Sequence, residues 1–233
     1  MIHLANHVNK NMYGIDISHY QNESGSIDYK AVKASGKEFC FVKCTEGLNY
    51  SDPFYERNKS GVRVSGMIFG AYHFARGNDA IKEADFFLSK VGEILPGEIL
   101  ILDFEINIGD TVNWCKKFLD RVTEKAGFRP MLYTNEARVT NFNWKPVVDA
   151  NYGLWVAKYA SSIIYVADYL QRKPSSGSWP FWAIWQYSSK AKVPGINGNC
   201  DINVTDMSVE ILRKYGKPGE IIVCNKSCKK HCV

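Results

Sequence analysis

Two carboxylates, Asp103 and Glu105, stand two residues apart at the end of the apolar run Ile99-Leu100-Ile101-Leu102-Asp103-Phe104-Glu105. Side chains alternate between the faces of a strand, so a strand here puts both acids on one face with Ile99 and Ile101. Leu100, Leu102 and Phe104 take the other face. Apolar residues on both faces predict a strand covered on both sides, as in an α/β sheet or barrel. Acids at the carboxyl end of such a strand sit where these folds build active sites. Neighbouring carboxylates raise one another's pKa by repulsion, which keeps one of them protonated as a general acid near neutrality. Two ordinary surface acids at a solvated strand end would give the same pattern.

The elements that must carry these acids alternate along the chain. Strands are predicted over 12–17, 38–44, 67–74, 98–105, 130–134, 153–159, 181–187 and 199–204. A short helix over 28–35 is closed by Gly36, and a polar helix covers 54–62. Ala80, Ala84, Phe87, Leu88 and Val91 form one helical stripe, and Val112, Cys115, Phe118, Leu119 and Val122 another. Beyond residue 134 the helical periodicity fades, with one short helix expected near residues 167–172. Eight strands with helices mainly in the first half predict an α/β fold, a parallel barrel whose second half is short of helices. One closed domain over 12–215 is expected, preceded by an extension over 1–11 and followed by a Cys- and Lys-rich tail over 216–233.

Strand parity then gathers more chemistry. If each strand ends inward at the barrel mouth, Asp16, Lys43, Tyr72 and Tyr133 face it, and Trp155 shares a face with Ala157 and Tyr159. Asp201, near the start of the last strand, joins the rim because a barrel's last strand neighbours its first. Each aromatic taken singly reads more readily as ordinary core. Four acids (Asp16, Asp103, Glu105, Asp201) are harder to place there, because unpaired buried carboxylates are costly. Aromatic faces stack on sugars and carboxylates bind hydroxyls or move protons, so the set suits a glycosidase.

Composition is ordinary for 233 residues, with 45% hydrophobic and 23% charged side chains. The net charge of +5 is modest; with no strong basic run outside the tail, nucleic-acid binding is not supported. No apolar run approaches the roughly 20 residues that span a bilayer. The first eleven residues are polar and lack the core of a secretory signal. Of seven cysteines, Cys40, Cys44, Cys115 and Cys200 fall in apolar segments as small hydrophobes. Cys224, Cys228 and Cys232 in the tail admit free thiols, a disulfide or a zinc site, and in the barrel no ligand spacing proposes a metal.

Several blocks resemble glycoside hydrolase family 25, the Chalaropsis-type lysozymes. They are Tyr13-Gly14-Ile15-Asp16-Ile17-Ser18-His19-Tyr20-Gln21, Phe41-Val42-Lys43-Cys44-Thr45-Glu46-Gly47, Gly70-Ala71-Tyr72-His73-Phe74, Asp103-Phe104-Glu105, and Trp185-Gln186-Tyr187-Ser188-Ser189 running on to Gly195-Ile196-Asn197-Gly198-Asn199-Cys200-Asp201-Ile202-Asn203. The resemblance implies a flattened, incomplete TIM-like β/α barrel without cofactor. It also implies hydrolysis of the β-1,4 bond between N-acetylmuramic acid and N-acetylglucosamine in peptidoglycan. By the same resemblance Glu105 matches the proton donor, Asp103 the acid beside it, and Asp16 and Asp201 the other active-site aspartates. Tyr72, Tyr133, Trp155 and Gln186 match positions lining the sugar cleft. Attack by the substrate's acetamido oxygen and attack by an aspartate or water both remain open. A monomer is expected, acting on the cell wall or outside the cell and, lacking a visible signal, cytoplasmic until released as an endolysin is. The alternatives are a catalytically silent wall binder on the same fold and a barrel hydrolase acting on chitin.

Overall fold

The computed structural model describes residues 11–159 and 173–220. The helix expected near residues 167–172 and the three tail cysteines lie outside the described residues.

Among the described residues nine strands are formed: β1 (Met12–Ile17), β2 (Lys37–Glu46), β3 (Tyr50–Ser51), β4 (Ile68–Phe74), β5 (Ile99–Asp103), β6 (Met131–Asn135), β7 (Leu154–Ala157), β8 (Ile184–Ala191) and β9 (Cys200–Thr205). All but β3 close into a barrel in the order β1-β2-β4-β5-β6-β7-β8-β9 and back to β1, while β3 folds back on the end of β2. The pairings from β1 through to β8 are parallel, but β9 runs antiparallel to both β8 and β1. This corrects the all-parallel expectation. Only residues 192–199 separate β8 from β9, too few for the crossover of a dozen or more residues that a parallel return needs.

The helices are α1 (His19–Glu23), α2 (Tyr29–Ala34), α3 (Tyr55–Ser65), α4 (Ala80–Val91), α5 (Thr111–Ala126), α6 (Glu136–Asn141), α7 (Lys145–Asp149) and α8 (Val209–Arg213). Those of more than ten residues are α3, α4 and α5, all in the first part of the chain. The sequence pattern missed α6 and α7, because five or six residues do not complete a periodic stripe. The structure also ends β5 at Asp103 and leaves Glu105 in the loop beyond it.

Parity decides the two cores. Met12, Phe39, Phe41, Ile68, Ile99, Ile101, Met131, Trp155 and Ile184 fill the barrel interior. Ile15, Ile17, Cys40, Val42, Phe69, Leu100, Leu102, Phe104, Leu132 and Val156 face outward under the helices. There α4 adds Ala84 and Phe87, and α5 adds Phe118 and Leu119. Outward-facing His73 of β4 is fully buried, bonded by Nδ1 to Thr45 Oγ1 (2.8 Å) and by Nε2 to Glu83 Oε2 of α4 (2.9 Å). Burial pushes the Glu83 carboxyl up, but bonds from His73, Arg76 and Asn78 outweigh it and hold the group below its ordinary value. That pairing fastens the β4–α4 loop to the barrel.

Large rings inside the barrel need small partners. The Phe41 ring occupies the space over Gly70, where an added Cβ would meet it at 2.5 Å and the Ile99 carbonyl at 3.2 Å. The Phe39 ring fills the space over Gly14 in the same way. Gly70→Ala should therefore destabilise the fold by about 1–3 kcal/mol, the usual cost of overpacking a tight core. Urea unfolding measures this; an unchanged midpoint would mean that the interior tolerates the methyl.

Candidate active site

The carboxyl ends of the parallel strands open on one mouth, and the acids meet there because the barrel is closed. Asp16 lies one residue before the end of β1 and faces Asp201 directly across the antiparallel β1–β9 pairing. Asp103 ends β5, and Tyr133 pairs with it from β6. Tyr72 lies on the interior face of β4 two residues before its end, and Lys43 pairs with it from β2. Trp155 pairs with Tyr133 in the next register, their rings 4.4 Å apart. Gln186 stands beside Ala157 on β8. The eight residues matched by the resemblance, and Lys43 with them, thus lie toward one end of the barrel, with Glu105 exposed on the rim and Asp103 buried behind it.

A hydrogen-bond relay fixes Asp16. Trp155 Nε1 donates to Asn203 Oδ1 (2.9 Å), and an indole nitrogen can only donate. The amide of Asn203 must therefore turn its NH2 toward Asp16, and it donates to Oδ2 at 2.7 Å. Gln186 does likewise: its Oε1 accepts from the Tyr133 hydroxyl (2.7 Å) and the Tyr159 hydroxyl (2.8 Å), and its Nε2 donates to the same Oδ2 (2.9 Å). Two donors converge on one oxygen, which orients the carboxyl while its other oxygen takes neither bond.

Dehydration dominates the electrostatics of the mouth. Burial raises Asp16 to about 6 against the lowering bonds from Asn203 and Gln186, and the charge of Glu105 adds to the rise. Asp201 is raised to about 8 by burial, then by Asp16 and Glu105. Asp103 is pushed well above the usual range, first by burial and then by Glu105 and Asp16. Its Oδ1 is shielded from solvent and accepts no hydrogen bond from the protein. Glu105 is also raised, because surrounding protein restricts its hydration even on the rim, and Arg138 draws it back. Lys43 opposes the rise of Asp103 from across the mouth; it is paired with Glu46 and lies 4.9 Å from the Phe74 ring centroid. A dehydrated cluster of carboxyls, some neutral and some ionised near pH 7, is equipped for proton transfer. Among the described residues no group of acids, histidines and cysteines is arranged to hold a metal ion.

The sequence reading did not single out Asn203 or Arg138, and it gave Tyr159 only a place on the face of Trp155. Asn203 shares the inner face with Asp201 two residues earlier, a signal available in principle. Tyr159 lies past the end of β7 and reaches Gln186 only through the path of the loop. Arg138 comes from α6, which showed no periodicity.

The raised carboxyls have a consequence for stability. A carboxyl whose folded pKa lies above its unfolded value binds its proton more tightly when folded, so its contribution is full below about pH 4 and lost as pH rises through the folded value. For Asp16 that loss runs between about 4 and 6, and for Asp201 between about 4 and 8. Asp201→Asn should accordingly raise Tm over the parent at pH 8.5, with the gain shrinking toward pH 5. Calorimetry at the two pH values measures this, and an equal Tm difference at both would refute the assignment of strain to that carboxyl.

Comparisons with known proteins show the family and the fold. The family model for glycosyl hydrolases family 25 matches residues 15–196. Lysozyme M1 of Streptomyces globisporus is 32% identical over 209 residues, covering 82% of this chain and 66% of that protein. The chain thus spans slightly less than two thirds of that relative's length. The N,O-diacetylmuramidase of Chalaropsis sp is 30% identical, covering 86% of this chain and 97% of that protein. The crystal structure of a bacterial lysozyme from Streptomyces coelicolor superposes with a TM-score of 0.73 at 29% identity, covering 89% of this chain and 97% of that one.

Proposed function

This chain belongs to glycosyl hydrolases family 25, and from that premise we propose that it is a lysozyme of the muramidase kind. Its substrate is peptidoglycan, and it cleaves the β-1,4 bond between N-acetylmuramic acid and N-acetylglucosamine. The observation that carries the reading is the cluster of Asp16, Asp103, Glu105 and Asp201 at one mouth, every carboxyl raised. Lysozymes and muramidases among its relatives support the substrate class.

Glu105 is the general acid. Its place on the rim lets it meet a glycosidic oxygen and regain a proton from solvent, and burial raises its pKa, so that it holds its proton to higher pH than a free glutamate. Asp103 sits behind it with an unpaired buried oxygen, suited to accept from the N–H of a 2-acetamido group and to turn that group's oxygen toward the anomeric carbon. Asp16, immobilised by Gln186 and Asn203, lines the opposite side and stabilises the positive charge that develops on the sugar, while Asp201 beside it stays neutral and offers a hydrogen bond. Tyr72, Tyr133 and Trp155 supply the apolar faces against which sugar rings pack. Acetamido participation makes the reaction retaining.

Glu105→Gln should keep the fold and lose roughly 10²–10⁴-fold in turnover, the worth of a general acid. Turbidity loss on purified peptidoglycan reads it, with chitin as the control substrate. Near-parental clearing by the variant removes Glu105 from the chemistry; clearing of chitin alone would move the enzyme to another substrate. Turnover on neither, with the fold intact, would favour a silent wall binder. NMR of the first-formed product should show the β-anomer, and prompt appearance of the α-anomer would mean inversion and attack by water.

A further inference from the structure

The catalytic role given above to Glu105 poses a structural question, because the strand that points toward it stops two residues early. β5 ends at Asp103. One further ladder bond, Phe104 N to Tyr133 O at 2.9 Å, and the bond from Thr134 Oγ1 to Phe104 O at 2.8 Å carry the chain to residue 104. Past that point the backbone leaves the sheet, and its polar side passes under a single guanidinium. Arg138 donates through one terminal nitrogen to the Glu105 carbonyl and, at 2.8 Å, to Asn107 Oδ1, and through Nε to the Ile106 carbonyl at 3.3 Å. On the apolar side Ile106 and Ile108 pack against the outer core.

Arg138 is itself held at both ends of its backbone. Its N–H is capped by Asn135 Oδ1 at 3.0 Å, at the end of β6. Its carbonyl accepts from the indole of Trp144 at 2.9 Å, a ring with no solvent exposure. The half-buried guanidinium is therefore set by the barrel and by a buried tryptophan, and it fixes three consecutive residues of the loop that carries the acid. A planar fork of donors can gather acceptors from several residues at once; an ammonium group cannot reproduce that geometry.

We propose that Arg138 is the positioning residue for Glu105, holding the backbone of residues 105–107 so that the acid stands over the mouth. It does not touch the substrate in this role. The proposal rests on Glu105 being the general acid. Its charge also acts on the carboxyl. Glu105 is faced by Asp103 of β5, Asp16 of β1, Asp201 of β9, Tyr133 of β6 and Tyr159 beyond β7, none of them cationic. Against that surrounding Arg138 is the cation that draws Glu105 down.

The test is a set of variants assayed on soluble muropeptide oligomers, with kcat, KM and the pH profile of kcat/KM measured for each. Arg138→Met should lower kcat by roughly 10–10²-fold, the scale of a misplaced catalytic group, while KM changes by less than about twofold. Losing the cation raises Glu105, so the acid stays protonated to higher pH and the alkaline limb should move upward. Arg138→Lys keeps the charge and loses the fork, so kcat should fall with the limb unmoved. In a Glu105→Gln background Arg138→Met should add little further loss, because its target is gone. Full additivity in that background, or a parental kcat and limb in both Arg138 variants, would overturn the proposal. If Arg138→Met fails to fold, the Lys variant decides, and a parental kcat there is refuting. Retained turnover in Glu105→Gln alone would instead sink the assignment of the acid, a separate and distinguishable result.

Discussion

Four carboxyl groups around one partly dehydrated mouth repel each other, and most of the specific polar contacts nearby answer that repulsion. Burial in a low-dielectric surround penalises the charged form of each acid, and the neighbours' charges add to the penalty. The fold meets this in two ways. Some carboxyls are allowed to rise, Asp201 to about 8 and Asp103 well above its ordinary value, so that they are neutral where they are most crowded. Others are given donors: two amides converge on Asp16, Lys43 opposes the rise of Asp103, and Arg138 leans on Glu105. The outcome is a mixture of neutral and ionised acids within one cleft, which is what acid catalysis on a glycoside requires.

The relay to Asp16 shows how the aromatic lining and the acids belong to one device. Tyr133 and Trp155 are interior residues of the barrel, and their rings pack against each other and, through Trp155, against Phe41. Their polar ends dictate which way Gln186 and Asn203 face. A side chain that reads as core from its burial thus sets the orientation of a carboxyl two bonds away. Packing below the mouth, including the rings seated over Gly14 and Gly70, fixes where those polar ends lie.

The sheet is rigid where its ladder is complete, and the acids of the mouth stand at or near the place where the ladder stops. Asp103 closes its strand and Asp16 stands one residue before the end of its own, while Glu105 and Tyr159 lie beyond theirs. The loops that carry such residues need their own fastenings, and buried side chains provide them. His73 and Glu83 tie down the β4–α4 loop, and Trp144 and Asn135 fix the arginine that grips residues 105–107. Each fastening joins a loop to a neighbouring strand or helix, so the geometry of the mouth is a property of the whole barrel.

The sequence by itself determined which residues face inward, because a strand alternates with a period of two and the apolar residues on its two faces must each be covered. Parity alone therefore brought Asp16, Lys43, Tyr72, Asp103, Glu105 and Tyr133 toward one mouth, expected closure of the barrel added Asp201, and the motif blocks added Gln186. The two strong helices, α4 and α5, were legible because a 3.6-residue stripe is long enough to register in each. Only the tertiary structure decided the direction of β9, the exit of Glu105 from its strand, and the parts played by Asn203, Tyr159 and Arg138. Those depend on pairings between residues far apart in the chain, such as Trp155 with Asn203 and Arg138 with Glu105. A local pattern carries no record of which loop will lie against which strand; closure of the barrel supplies it.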